Sequence, residues 1–94
     1  MKKQILKYPL HPLFGFQTVL LPEGAEILTV QVQGSKVCLW ALVNPDNTPV
    51  LRGIDTLATG QTLYNEGRAN LKYINTYQLD AGAYVFHVFE RLTN

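Results

Sequence analysis

His87 and Cys38 are the side chains of this chain best suited to do chemistry, and the spacing around each argues against it. Glu90 follows His87 by three positions, and on a strand an odd separation puts two side chains on opposite faces. The carboxylate therefore cannot orient the imidazole, and no nucleophile or acceptor stands beside His87 in sequence. The plainer reading is a half-buried histidine whose ring nitrogens bond to backbone or to a tyrosine hydroxyl. Cys38 lies between Val37 and Leu39 in an apolar run, with Lys36 sharing its face. A reactive thiolate wants an exposed, electropositive setting, so a structural core cysteine is the favoured reading.

Ligand binding has more to work with. Thr59-Gly60-Gln61-Thr62, followed by Tyr64, Asn65, Gly67 and Arg68, is a polar stretch long enough to suggest a task. Gly60 permits close backbone approach, Gln61 offers an amide, Tyr64 can stack and Arg68 can fork onto a phosphate or carboxylate. Arg52 is a second cation for a small anion. Trp40 is either a core or interface aromatic or a stacking platform for a base. The candidate ligand contacts are therefore Arg68, Tyr64, Gly60, Gln61, Arg52, Trp40 and His87. An ordinary solvated loop remains the competing account of 59–70. Neither a catalytic residue set, a metal site nor a cofactor is expected, since paired carboxylates, a Cys/His zinc pattern and a nucleotide fingerprint are missing from the sequence.

The elements that must position these residues follow a period of two, with turn signals every eight to twelve positions. Strands are predicted at 4–8, 16–21, 26–33, 36–43, 49–58, 71–79 and 83–90. Leu28, Val30 and Val32 should share one face of the third. Gly34-Ser35 suits a two-residue type II′ hairpin turn. The strand after it, Lys36–Val43, is apolar on both faces and should be central and covered on both sides. Gly53 marks a bulge or a close backbone approach, and 55–63 could hold a short helical turn. In the last strand Ala83, Val85, His87 and Phe89 share a face opposite Tyr84, Phe86, Val88 and Glu90. The expectation is an all-β fold, a small antiparallel sandwich or barrel-like domain of about six or seven strands. It forms a single domain over 1–94 with its core in 6–90.

Composition narrows the partners. Charged residues make up 16% of the 94 residues against roughly 25% in an average protein, and the net charge is +1. The basic residues are dispersed, so no stripe exists for duplex nucleic acid, though a small anionic ligand needs only two or three cations. Low charge with many apolar residues implies cover by further copies of the chain, a homo-oligomer. No apolar run approaches the ~20 residues of a membrane-spanning helix, and neither a signal peptide nor a disulfide pair is seen. The expected location is the cytoplasm.

Three segments carry a resemblance. They are Ile27-Leu28-Thr29-Val30-Gln31-Val32-Gln33 with Cys38-Leu39-Trp40-Ala41-Leu42-Val43, then Thr59-Gly60-Gln61, then Tyr73-Ile74-Asn75-Thr76-Tyr77-Gln78 with Val85-Phe86-His87-Val88-Phe89-Glu90. Together they resemble a family of small uncharacterised bacteriophage and prophage proteins, grouped as a domain of unknown function. The family pattern looks like Thr-Gly-His-Pro where this chain has Thr59-Gly60-Gln61-Thr62. The resemblance implies a phage accessory gene acting in the host cell. The leading expectation is a binding protein without catalysis that counteracts host defence, by blocking a host protein or sequestering a nucleotide-like signal. The alternatives are a virion or assembly protein and, less favoured, a small enzyme using His87 or His11.

Overall fold

The computed structural model describes residues 2–11, 15–63 and 70–92. Seven antiparallel strands lie among them: β1 Gln4–Pro9, β2 Gly15–Pro22, β3 Glu26–Gln33, β4 Lys36–Val43, β5 Pro49–Ala58, β6 Asn70–Leu79 and β7 Tyr84–Leu92. They form a three-stranded sheet ordered β1-β4-β3 and a four-stranded sheet ordered β2-β5-β7-β6. The chain is all-β as expected, and of the sandwich and barrel-like alternatives it adopts the two-sheet sandwich. Every predicted strand is present, with ends displaced by no more than two residues. The helical turn considered for 55–63 is not formed: residues 55–58 complete β5, where Asp55 and Thr56 pair with Phe89 and Val88.

Alternation along the strands builds the core. Val37, Leu39, Ala41 and Val43 of β4 face Leu21, Ile54, Tyr77, Phe86 and Val88 of the other sheet in one cluster. Leu21, Leu39, Ile54, Val30, Val43 and Val88 are sealed from solvent. Burial of each such side chain contributes about 1.5–3 kcal/mol. Burial also pushes the Tyr77 phenol above its ordinary pKa of 10.0, so its neutral form is favoured.

Two predicted details need correction. Register shifts between Ile27 and Thr29, so Leu28 is the extra residue of a bulge and is exposed, while Ile27 joins the core beside Val30 and Val32. And β4 is central but covered on one side only. On its outer side Cys38 is buried while Trp40 and Leu42 are half-buried, shielded by cross-strand neighbours rather than by a further layer. Lys7 from β1 reaches Gln33 of β3 across this face.

The sheets meet where edge strands β3 and β6 come together. A second bulge, between Tyr73 and Asn75, aims the Asn75 amide at Val30. Its oxygen accepts from the Val30 N–H at 2.7 Å and its nitrogen donates to the Val30 carbonyl at 2.6 Å. One side chain thus completes, in place of a strand, the pairing that a buried backbone requires.

Candidate functional site

The outer face of the four-stranded sheet differs from an ordinary solvated sheet surface, which alternation would make polar. Its cross-strand rows, read from the register, run Leu20–Leu51, then Thr18–Gly53–Arg91–Leu71, then Phe16–Asp55–Phe89–Tyr73, then Leu57–His87–Thr76 and Val85–Gln78. Phe16, Leu20, Leu51 and Tyr73 are between 48% and 65% exposed, too high for residues that belong to the core. Tyr73 and Phe89 pack edge to face with ring centroids 5.6 Å apart.

The two charges on this face neutralise each other. Arg91 Nε donates to Asp55 Oδ2 at 2.8 Å, and the Asp55 side chain is 4% exposed. The Arg91 guanidinium also lies 4.0 Å above the Phe16 ring centroid. That geometry depends on Gly53. A Cβ there would stand 2.9 Å from Phe16 Cε1 and 3.3 Å from Cζ, so only glycine lets the ring lie flat across β5. The close approach expected at Gly53 is thus made by an aromatic side chain.

His87 is held from both sides. Nε2 is 2.7 Å from the Thr59 hydroxyl, and Nδ1 is 3.0 Å from that of Thr76, which is 2.7 Å from the Tyr73 hydroxyl. The Thr59 hydroxyl also reaches the Val85 carbonyl at 3.5 Å. One assignment satisfies the whole chain: Tyr73 donates to Thr76, Thr76 to Nδ1, Nε2–H to Thr59, and Thr59 to the carbonyl. The histidine is half-buried and fully bonded as expected, but its partners are threonine hydroxyls rather than backbone or a tyrosine. Glu90 lies on the inner face, as the odd spacing required.

The remaining sequence candidates are scattered. Arg52 points inward: Nε and Nη2 grip the Glu90 carboxylate, and Nη1 donates to the Ala25 carbonyl at 2.9 Å. Beside that pair is a cleft of about 340 Å³, lined in part by Gly24, Ile27, Lys72 and Ile74. Trp40 is on the outer face of the other sheet. Gly60 adopts a positive φ of 88° in a turn closed by the Gln61 N–H on the Ala58 carbonyl, and the Gln61 amide oxygen accepts from the Ala58 N–H. Tyr64 and Arg68 lie outside the described residues. The structure therefore brings His87 close to the Gly60 turn through Thr59, and leaves Arg52 and Trp40 apart from both.

Sequence reasoning missed the Asp55–Arg91 pair, the Phe16 stack, the threonine clamp and the role of Asn75. A signal existed for the first two: Leu51, Gly53, Asp55 and Leu57 alternate with Arg52, Ile54, Thr56 and Ala58, so β5 has no polar side to give to water. Among the described residues no group of three or more His, Cys, Asp or Glu could hold a metal ion, and no helix is long and apolar enough to cross a membrane.

Fold and surface together define an antiparallel two-sheet β protein whose four-stranded sheet exposes Phe16, Leu20, Leu51 and Tyr73 on its outer face. The chain belongs to the family described as a domain of unknown function, DUF7352, whose match covers residues 1–94. No curated protein and no solved structure matches it.

Proposed function

We propose that this chain is a non-catalytic binding protein, acting by laying the outer face of the β2-β5-β7-β6 sheet against a protein surface. The observation that carries the proposal is that face. Leu20, Leu51, Phe16 and Tyr73 are exposed on it, while its charges and its histidine are already bonded within it. Several large apolar side chains exposed on one sheet face mark a surface that works against a partner, since a protein that works alone rarely exposes apolar patches larger than a few hundred Å². The resemblance to phage and prophage proteins supports an accessory role in a host cell, with a host defence protein as the blocked target. A nucleotide-like ligand has less support, because each of the three Arg52 guanidinium nitrogens already donates to Glu90 or to the Ala25 carbonyl.

The test is affinity capture from bacterial host cells with the full chain as bait, beside a Leu20→Glu/Leu51→Glu variant. Both leucines are exposed, so the fold should survive the change. A host protein enriched at least about tenfold on the unaltered chain is expected, as loss of interface anchors commonly costs that much. Identical protein sets on both baits would remove the proposal.

A further inference from the structure

We infer that the outer face of the four-stranded sheet takes a second copy of this chain, packed sheet to sheet about a two-fold axis. The inference rests on reading that face as a protein-binding surface; the second copy is its occupant in the free chain, and an outside protein would have to displace that copy. Charge is the first argument. Among the described residues that point outward from these four strands, the charged ones are Asp55 and Arg91, bonded to each other at 2.8 Å. A two-fold interface sets a patch against itself, so any unpaired charge near the axis would meet its like. A face that neutralises its own charges avoids that repulsion, and it offers nothing to a strongly charged partner.

Desolvation is the second argument. Covering a polar group is costly unless its hydrogen bonds are already made. His87 has both ring nitrogens engaged, and the Thr59 and Thr76 hydroxyls that engage them are bonded onward. A copy can exclude water around His87 without supplying a donor or acceptor there, while Thr18 and Gln78, on the edge strands β2 and β6, keep theirs for water.

Area is the third. The fifteen outward positions in the rows above, each occupying about 4.8 by 6.8 Å, tile the face. That is roughly 500 Å² on each copy and about 1,000 Å² for the pair, at the lower limit for a specific interface. The flat seat that Gly53 gives the Phe16 ring suits the ~10 Å spacing of packed sheets.

Sedimentation velocity on the full chain tests this, from about 1 μM to about 1 mM, a span that brackets the weak affinity such an area supports. The unaltered chain should move from 10.6 kDa toward twice that mass as concentration rises. Gln31→Glu, on the outer face of the other sheet, should behave identically. Leu51→Glu and Leu20→Glu should stay monomeric with unchanged far-ultraviolet dichroism, and Leu51→Ala, which adds no charge, should weaken dimerisation in the same direction. A chain monomeric throughout, or a dimer indifferent to all three leucine variants, overturns the inference. The two readings can fail separately. A monomer that still captures a host protein through Leu20 and Leu51 removes the second copy alone. A dimer dispersed by those variants, with no protein captured, removes the outside target alone.

Discussion

Arg52 decides whether the inner cleft is structural or a place for a ligand, and a double-mutant cycle with Glu90 separates the two. The guanidinium makes two charge-assisted hydrogen bonds to Glu90 and one to the Ala25 carbonyl. The side chains are 22% and 9% exposed, so water reaches the arginine more than the carboxylate. Removing one partner from a buried pair costs about 3–5 kcal/mol, because a charge is left uncompensated. Arg52→Met strands the more buried group, although Lys72, opposite Glu90 in register, is a cation that can lean toward it. That places the loss near the lower end, about 3 kcal/mol. Glu90→Leu strands the more accessible arginine and should cost a similar amount. Total stability for a domain of this size is roughly 5–14 kcal/mol, so either change is severe but survivable. With a urea dependence of about 1 kcal/mol per M, the midpoint falls by about 3 M in each single variant. The double variant Arg52→Met/Glu90→Leu has no charge to strand and should recover at least about 2 kcal/mol of the summed losses. Single variants within about 1 kcal/mol of the unaltered chain, or losses that simply add, would refute the structural role of the pair.

Four further outcomes follow from named contacts. Asn75→Ala leaves the Val30 N–H and carbonyl unpaired at a site sealed from solvent and should cost about 2–4 kcal/mol in chemical denaturation. Ala81 holds a positive φ of 52°, so Ala81→Gly should raise stability by about 0.5–1 kcal/mol in the same assay. Gly53→Ala should change stability by less than about 1 kcal/mol, since better strand backbone offsets a lost cation–π contact. The ring-current shift of the Arg91 side-chain protons should disappear as Phe16 is pushed upright. Trp40→Ala should cost about 2 kcal/mol, below the ~3–5 kcal/mol of a core aromatic, because the ring is half-buried on an outer face.

The strands were legible in the sequence because turn chemistry and period-two alternation agreed at almost every position. Leu28 was misplaced for a physical reason. A bulge adds one residue without a local mark, and every side chain before it changes face relative to those after it. Sequence alternation therefore grouped Leu28 with Val30, while the fold chose Ile27. The same device at Ile74 turned Asn75 toward Val30, and nothing in an isolated asparagine announces a partner 45 positions away.

The site was less legible, because its residues are defined by register rather than by spacing. Phe16, Gly53 and Arg91 come from three strands and become one unit only once β2, β5 and β7 lie side by side. Arg52 and Arg91 show what is lost without that step. Both are single arginines on strands, equally plausible as anion anchors when read singly. The fold gives one to an inward carboxylate and the other to an outward one. Neither is left as an open fork for a phosphate. What the surface keeps for a partner is apolar area whose charges and histidine are already satisfied. That combination favours recognition by shape and dehydration over recognition by charge, and dehydration is strongest where two such faces exclude water from each other. A binding mode of this kind should be nearly insensitive to ionic strength, in contrast to any mode led by arginine, whose affinity falls as salt screens it.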